Sequence, residues 1–475
     1  MATLSFDEGA HLIRRAGFGG TSGEIDDLVA RGREGAVDFL LNYTQIDNSE
    51  LNTLLTQSFD FLVPPTEQKE ISNGEIRRWW FTRLAFTKRP FEEKLTLFWH
   101  NHFATSSSKV QDFLMYNQNL TLRQHALDRF DDLLMAVAKD PAMLVWLDGV
   151  TNVLGSPNEN FGRELQELFT MGINDVVTGE PNYTEQDVKE IARAFTGWNY
   201  QRRAPFTFQI NASQHDNTVK TIYGQTLNFS GEDVIQIISA KRATARYLVW
   251  KMFNFFVYPL TSSNADKKTI DKFADVYMNK NHSIKELVRA IFTSDEFFSE
   301  RARFGLVKSP AELIVGAIRM LGAKYNPGTS VNGERRVSNL PAQSSRDQGM
   351  DLFGPPDVAG WGYNLDWVNT AAMLERFNFA NTLATTRNTT NPGVFVTTEQ
   401  LKSFTKNKPK KVVKEFLSVL GPLDVDGSTR KKLEAYLQTD DNGQEIKFKN
   451  DDATIDKKVR GLVHQIMCLP EFQLN

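Results

Sequence analysis

Pro90-Phe91-Glu92-Glu93-Lys94-Leu95-Thr96-Leu97-Phe98-Trp99-His100-Asn101-His102-Phe103 is the stretch on which the fold reading turns. Proline fixes φ and lacks a backbone donor, so Pro90 suits the first position of a helix. From there Phe91, Leu95, Phe98, Trp99 and His102 follow one another around the axis at about 100° per residue and share one stripe. The segment is expected to be a helix that lays this stripe on a core. His102 falls on that face. His100 falls roughly opposite, because residues two apart on a helix do not face each other. A two-histidine chelate is therefore excluded while the helix lasts. It returns only if the backbone turns irregular toward Ala104-Thr105-Ser106-Ser107-Ser108. The chain has only seven histidines, so two in one apolar run mark the best place to look for chemistry.

Helical punctuation recurs outward from this run. Ser156-Pro157-Asn158-Glu159 and Ser309-Pro310-Ala311-Glu312 both read as capping boxes with proline at the first helical position. Thr21-Ser22-Gly23-Glu24 and Thr184-Glu185-Gln186-Asp187 read as further helix starts. The fold class expected is mainly α, a large helical body with one β excursion. That excursion is a small hairpin near residues 200–228, where Phe206, Phe208 and Ile210 alternate with polar residues before Lys220-Thr221-Ile222-Tyr223-Gly224. Two helical lobes, 1–200 and 229–475, would then flank it. The stretches 45–75 and 324–348 read as loops.

Composition narrows the function classes. The chain of 475 residues is 41% hydrophobic and 24% charged, enough for a large core in an ordinary globular protein. A formal net charge of −3 gives no global attraction to nucleic acid or to an anionic membrane. The lysines at 406, 408, 410, 411 and 414 are interspersed with acidic residues downstream and read as a solvated face. The single cysteine, Cys468, excludes an internal disulfide framework and lies in an apolar run where a buried, inert thiol is expected. Met1-Ala2-Thr3-Leu4-Ser5-Phe6-Asp7-Glu8 shows no basic region followed by an apolar one, and no run approaches 18 apolar residues. On these residues a soluble, cytoplasmic chain without a transmembrane segment or nucleic-acid partner is expected. No phosphate-binding loop, dinucleotide fingerprint, His-Glu-x-x-His or Gly-x-Ser-x-Gly is present.

Three polar intrusions carry what chemistry the sequence offers. In Asn158-Glu159-Asn160-Phe161-Gly162-Arg163-Glu164-Leu165-Gln166-Glu167-Leu168-Phe169, the apolar stripe is Phe161, Leu165, Leu168 and Phe169. Glu164 lies at its edge and must find a cation, a donor or a proton. Glu167 lies further toward solvent, within i,i+4 reach of Arg163. Asn158 and Asn160 stand at the helix start, where side-chain amides orient a ligand or cap the helix. His215-Asp216 supplies adjacent nitrogen and carboxylate ligands in a turn-like stretch. His102, Glu164, His215 and Asp216 together would make a zinc, manganese or iron site.

The order and spacing of these motifs resemble a known family. His11-Leu12-Ile13-Arg14-Arg15-Ala16-Gly17-Phe18-Gly19, Phe98-Trp99-His100-Asn101-His102-Phe103, Asn158-Glu159-Asn160 with Arg163-Glu164-Leu165, Tyr183-Thr184-Glu185, Ala194-Phe195-Thr196-Gly197-Trp198, His215-Asp216 and Pro355-Pro356-Asp357-Val358-Ala359-Gly360-Trp361 resemble the bacterial domain-of-unknown-function family 1800. The agreement runs from about residue 10 to the C-terminus. The resemblance implies that residues 1–475 form one family unit and that the paired histidines, the Glu-rich helix and His215-Asp216 belong to its pattern. It implies no reaction. Many members look exported and are encoded beside a sulfatase-like companion family. The resemblance therefore implies a cell-envelope or exported location and a protein partner, although this chain shows no recognisable signal.

Two functions compete on these residues. The first is a metal-dependent hydrolase: His102, Glu164, His215 and Asp216 hold a divalent ion, His100 stands nearby, and Glu167 is general base to a metal-bound water. Asn158, Asn160, Arg163, Arg14 and Trp361 would then contact substrate. The alternative is a non-enzymatic helical scaffold that binds a protein partner or glycan, with the same histidines and glutamates in a structural network. Under that reading Arg14 ties an N-terminal helix to the body and Trp361 plugs a loop onto the core.

Overall fold

Pro90–His102 is a helix, and it is buried on every side. Phe91, Leu95, Leu97, Phe98 and Trp99 are all 0% exposed, and so are Glu93, Lys94 and Thr96. The expected single stripe understates this. His100 does lie off the stripe, but that side is covered too, as in any helix buried all round. Its polar residues are accordingly paired. Trp80 Nε1 and Arg83 Nε donate to the two oxygens of Glu93, each at 2.9 Å. Lys94 pairs with Glu312, and Trp99 Nε1 donates to Ala126 O at 3.0 Å.

These relations come from a computed structural model that describes residues 3–62, 71–326, 340–388, 393–440 and 442–475. The fold is mainly α with short antiparallel β ribbons. The chain forms two compact units, and both are discontinuous. The first comprises Met1–Lys94, Phe298–Leu352 and Gly362–Asn475, the second Leu95–Phe297 and Phe353–Trp361. The units thus do not follow a 1–200 and 229–475 division; the boundary falls inside the buried helix, after Lys94.

In the first unit the helices Pro310–Met320, Thr370–Thr385, Pro409–Val419 and Arg460–Met467 bring Ile314, Leu383, Phe416 and Leu462 into one apolar core. Each such side chain contributes roughly 1.5–3 kcal/mol by leaving water. The Ser309 capping box forms as expected, with Ser309 N donating to Glu312 Oε2 at 2.7 Å. Thr21 and Thr184 also cap their helices in boxes. The Ser156 box does not form. Ser156 instead makes a β-bridge with Val153, and the helix begins four residues later, at Asn160.

The second unit is built around aromatic rings on Pro90–His102, Phe130–Ala138 and Arg242–Phe256. Phe98 sits against Phe255 and Phe256, with ring centroids 5.3 and 5.7 Å away. The β excursion lies in this unit and comprises two ribbons rather than one hairpin. Trp198–Tyr200 pairs with Phe208–Ile210, and Lys220–Ile222 with Gln225–Leu227. The expected loops also contain structure: Ser49–Ser58 and Leu340–Asp347 are helices, and Lys324–Asn326 pairs with Gly393–Phe395. Ser49–Ser58 buries Leu51, Leu55 and Ser58, three positions on one helical face within a largely polar segment, which is why composition alone reads as a loop. Residues 63–70 and 327–339 of those stretches, Pro64-Pro65 included, lie outside the described residues. Among the described residues no helix is long and apolar enough to cross a membrane. Cys468 is half-buried, and burial pushes its thiol up to about 11, so it is protonated at neutral pH and a weak nucleophile.

Candidate functional site

The buried helix ends in a clamp. Asn101 Oδ1 accepts from Trp361 N at 2.6 Å, and its Nδ2 donates to Trp361 O at 3.2 Å. One side chain thus satisfies both backbone groups of a residue 260 positions away. His100 Nε2 accepts from Phe353 N at 3.2 Å, and Ser107 N donates to Phe353 O at 2.8 Å. The loop 353–361 is fastened at both ends. Gly360 is required in it: its φ is +86°, and a Cβ there would lie 2.2 Å from Asn101 Oδ1 and 2.5 Å from Asn101 O. Trp361 is buried, with its ring centroid 5.5 Å from that of His100, so it plugs the loop inward. Asn101→Ala strips this loop of both bonds and leaves buried donors and acceptors unpaired. We expect a loss of about 1–3 kcal/mol in urea denaturation.

Both histidines are neutral. Burial pushes His100 down to about 3, and an Nε2 that accepts a bond places its proton on Nδ1. His102 is also pushed down to about 3, by burial first and by the Lys251 charge second, against the pull of Phe169 O. Its Nε2 donates to Phe169 O at 2.9 Å, leaving Nδ1 as the lone pair. That atom is buried with no hydrogen-bond partner among the described residues. The rings of Phe103, Trp99 and Phe98 surround it, with centroids 4.6, 5.5 and 5.9 Å away.

The Glu-rich helix Asn160–Glu167 makes a second, more open cluster. Arg163 donates to both oxygens of Glu185, at 2.8 and 2.9 Å, and pairs with Glu159 at 3.3 Å and Glu167 at 3.7 Å. These hydrogen bonds to Glu185 hold the Arg163 guanidinium above the usual range. Tyr183 donates its hydroxyl to Glu167, and burial with that bond raises the phenol. Glu164 is half-buried and accepts no hydrogen bond from the described residues. Burial first, and the Glu167 charge second, raise its carboxyl above the ordinary range, against Arg163. Asn158 and Asn160 organise the helix start: Asn158 Oδ1 accepts from Asn160 N at 3.0 Å, and Asn160 Nδ2 reaches Asp148 at 3.4 Å.

His215 and Asp216 are committed locally. His215 Nδ1 donates to Thr196 O at 2.8 Å. Asp216 accepts from Arg193 Nε and Thr218 N, both at 2.8 Å; burial pushes its carboxyl up, but these donors together hold it well below the ordinary range. The stretch meets the strand of chain before Asn160, because Leu154 N donates to Gln214 O at 2.8 Å and Asn152 O accepts from Gly197 N at 2.8 Å. His102 takes no part in that meeting. No hydrogen bond or ion pair joins His102, Glu164, His215 and Asp216 to one another. Among the described residues, no group of three or more His, Cys, Asp or Glu is placed to hold a metal ion. Arg14, in the first unit, is buried, donating Nη1 to Gly421 O at 3.1 Å.

Asn101, Asn152, Tyr183 and Glu185 hold this arrangement together through their hydrogen bonds, although residue type alone gives them no site role. Tyr183 and Glu185 stand in a family-like motif, which was the available signal. Asn101 stood beside the histidines, and only its distant partner reveals its work.

The chain matches the family model described as "Protein of unknown function (DUF1800)" over residues 11–474, and it belongs to that family. No curated protein and no solved structure matches it.

Proposed function

We propose that this DUF1800 member is a non-enzymatic helical scaffold that binds a protein partner, with the sulfatase-like companion family as the source of that partner. The observation that carries the reading is the commitment of its chemistry-bearing side chains to the chain's own backbone. His100 holds Phe353, Asn101 holds Trp361, His102 holds Phe169 and His215 holds Thr196. Leu365, Val368 and Leu374, exposed within ten residues of one another just after the 353–361 loop, supply apolar surface for a partner. The double variant His102→Gln and Glu164→Gln is expected to fold with lower stability and still capture the companion protein in a co-expression pull-down. A double variant that keeps wild-type stability and loses only a hydrolytic activity seen in the wild type overturns the scaffold.

A metal-dependent hydrolase using zinc, manganese or iron is the second reading. Two observations favour it: the half-buried Glu164 without a hydrogen bond, and the unpartnered Nδ1 of His102. Metal analysis separates the two. For protein purified without chelators, the scaffold predicts no stoichiometric metal and an unchanged Tm on adding zinc, manganese or iron. One bound metal per chain, released with loss of stability, decides for the enzyme.

A further inference from the structure

Three buried cations of the first unit have no carboxylate hydrogen-bond partner among the described residues. Arg14, Lys308 and Arg376 are 3%, 3% and 1% exposed. All their hydrogen-bond partners are neutral. Arg14 donates to Gly421 O and lies 4.4 Å from the Phe304 ring centroid. Lys308 Nζ donates to Phe472 O at 2.7 Å and stands 4.0 Å over the Phe472 ring. Arg376 donates to Lys308 O at 2.8 Å and to Gln473 Oε1 at 3.3 Å. The Nε atoms of Arg14 and Arg376 are buried with no hydrogen-bond partner among the described residues.

The carboxylate that acts on Lys308 and Arg376 is Glu312, which is already engaged, and the one that acts on Arg14 is Asp7, an exposed side chain that pairs with Arg303 at 3.6 Å. Lys94 pairs with Glu312, Ser309 N donates to it at 2.7 Å, and Asn475 Nδ2 at 2.7 Å. Arg15, also buried, adds its charge beside Arg14. Burial pushes Arg14 down to about 9 and Arg376 to about 10, and burial with the neighbouring cations pushes Lys308 well below its ordinary value. Uncompensated buried charge is costly even after the surroundings relax. Deprotonating Lys308 removes one charge but leaves two guanidiniums, which do not deprotonate in proteins. One anion answers all three cations and both idle Nε donors.

We infer that Arg14, Lys308 and Arg376 form a buried site for a single small oxyanion of the phosphate or sulfate class. Guanidinium forks match two oxygens of such an ion, and the ammonium supplies a point charge to a third. The ion acts structurally, joining the N-terminal helix Phe6–Ala16, the residues before Pro310 and the helix Thr370–Thr385 within this unit. The inference does not depend on the scaffold reading.

The test uses the full chain, desalted into chloride buffer, denatured, and assayed by ion chromatography for phosphate and sulfate. Protein stripped by partial unfolding and refolding in chloride is then compared in phosphate, sulfate and chloride at equal ionic strength. We expect one ion per chain, or a rise in Tm of several degrees in phosphate or sulfate. Lys308→Met and Arg376→Gln should each abolish the recovered ion and the rise. The inference fails if the wild type yields neither ion and melts alike in all three salts. It fails equally if both variants keep the ion or the rise, which places the ion elsewhere. If the variants do not fold, the wild-type ion assay decides alone.

Discussion

Glu312→Gln is expected to cost about 3–5 kcal/mol of unfolding free energy, the range for removing one member of a buried ion pair. Lys94 is 0% exposed and Glu312 is 8% exposed. Burial alone pushes the Glu312 carboxyl up, but Lys94 pulls it below the ordinary carboxylate range. Glutamine still accepts from Ser309 N, so the capping box survives and the loss reports the charge. What remains is a buried ammonium among other buried cations. Urea denaturation of the single variant, of Lys94→Met and of the double variant measures the coupling, and the double variant should recover most of the loss. A Glu312→Gln protein within about 1 kcal/mol of wild type would mean that Lys94 is neutral in the fold. The pH dependence has a fixed sign. A carboxylate with a depressed folded pKa stabilises above its ordinary value of 4.5, and that stability is lost as the pH falls through the folded value.

Much of the local structure was legible because its causes are local. Pro90 starts its helix, Ser309, Thr21 and Thr184 cap theirs, and the apolar spacing that follows each marks a buried face. Ser156 shows the limit of such signals. Its box has the right residues, but a bridge to Val153 claims the serine first. The β excursion forms where alternation places it, but as two ribbons, because alternation identifies a strand whereas its partner depends on where the chain returns.

The site was less legible, and the reason lies in what polar side chains bond to. A stripe analysis finds the face that touches a core but cannot see that the opposite face is covered as well, so His100 looked outward. His102, His215 and Asp216 have the atoms of metal ligands, yet their partners are Phe169 O, Thr196 O and Arg193. Residue types announce chemistry; only long-range contacts show whether the lone pairs are already in use. The i,i+4 pair of Arg163 and Glu167 was readable from spacing because both ends share one helix.

Lowering the pH is expected to destabilise the fold well before most carboxylates titrate, through His100 and His102. Their ordinary value is 6.5, and burial pushes each down to about 3. Between those values the unfolded chain binds protons that the folded chain refuses, so stability rises with pH across the window. The contribution is fully present above 6.5 and is lost as the pH falls toward about 3. Each histidine supplies a slope of about 1.4 kcal/mol per pH unit. Asp140 works in the opposite sense. Burial raises its carboxyl to about 7 against the amides of Ala142 and Met143 and the Gln118 side chain, so a proton held there in the fold offsets one histidine. The difference between wild type and His102→Gln removes that offset, because Asp140 is common to both. Glutamine keeps a donor for Phe169 O and does not titrate. Urea denaturation at a series of pH values from about 6 to about 4.5 should show the wild type losing about 1.4 kcal/mol per unit more than the variant. If the two curves run parallel, His102 binds its proton in the folded state as readily as in the unfolded one, and the closed aromatic setting around it does not persist in solution.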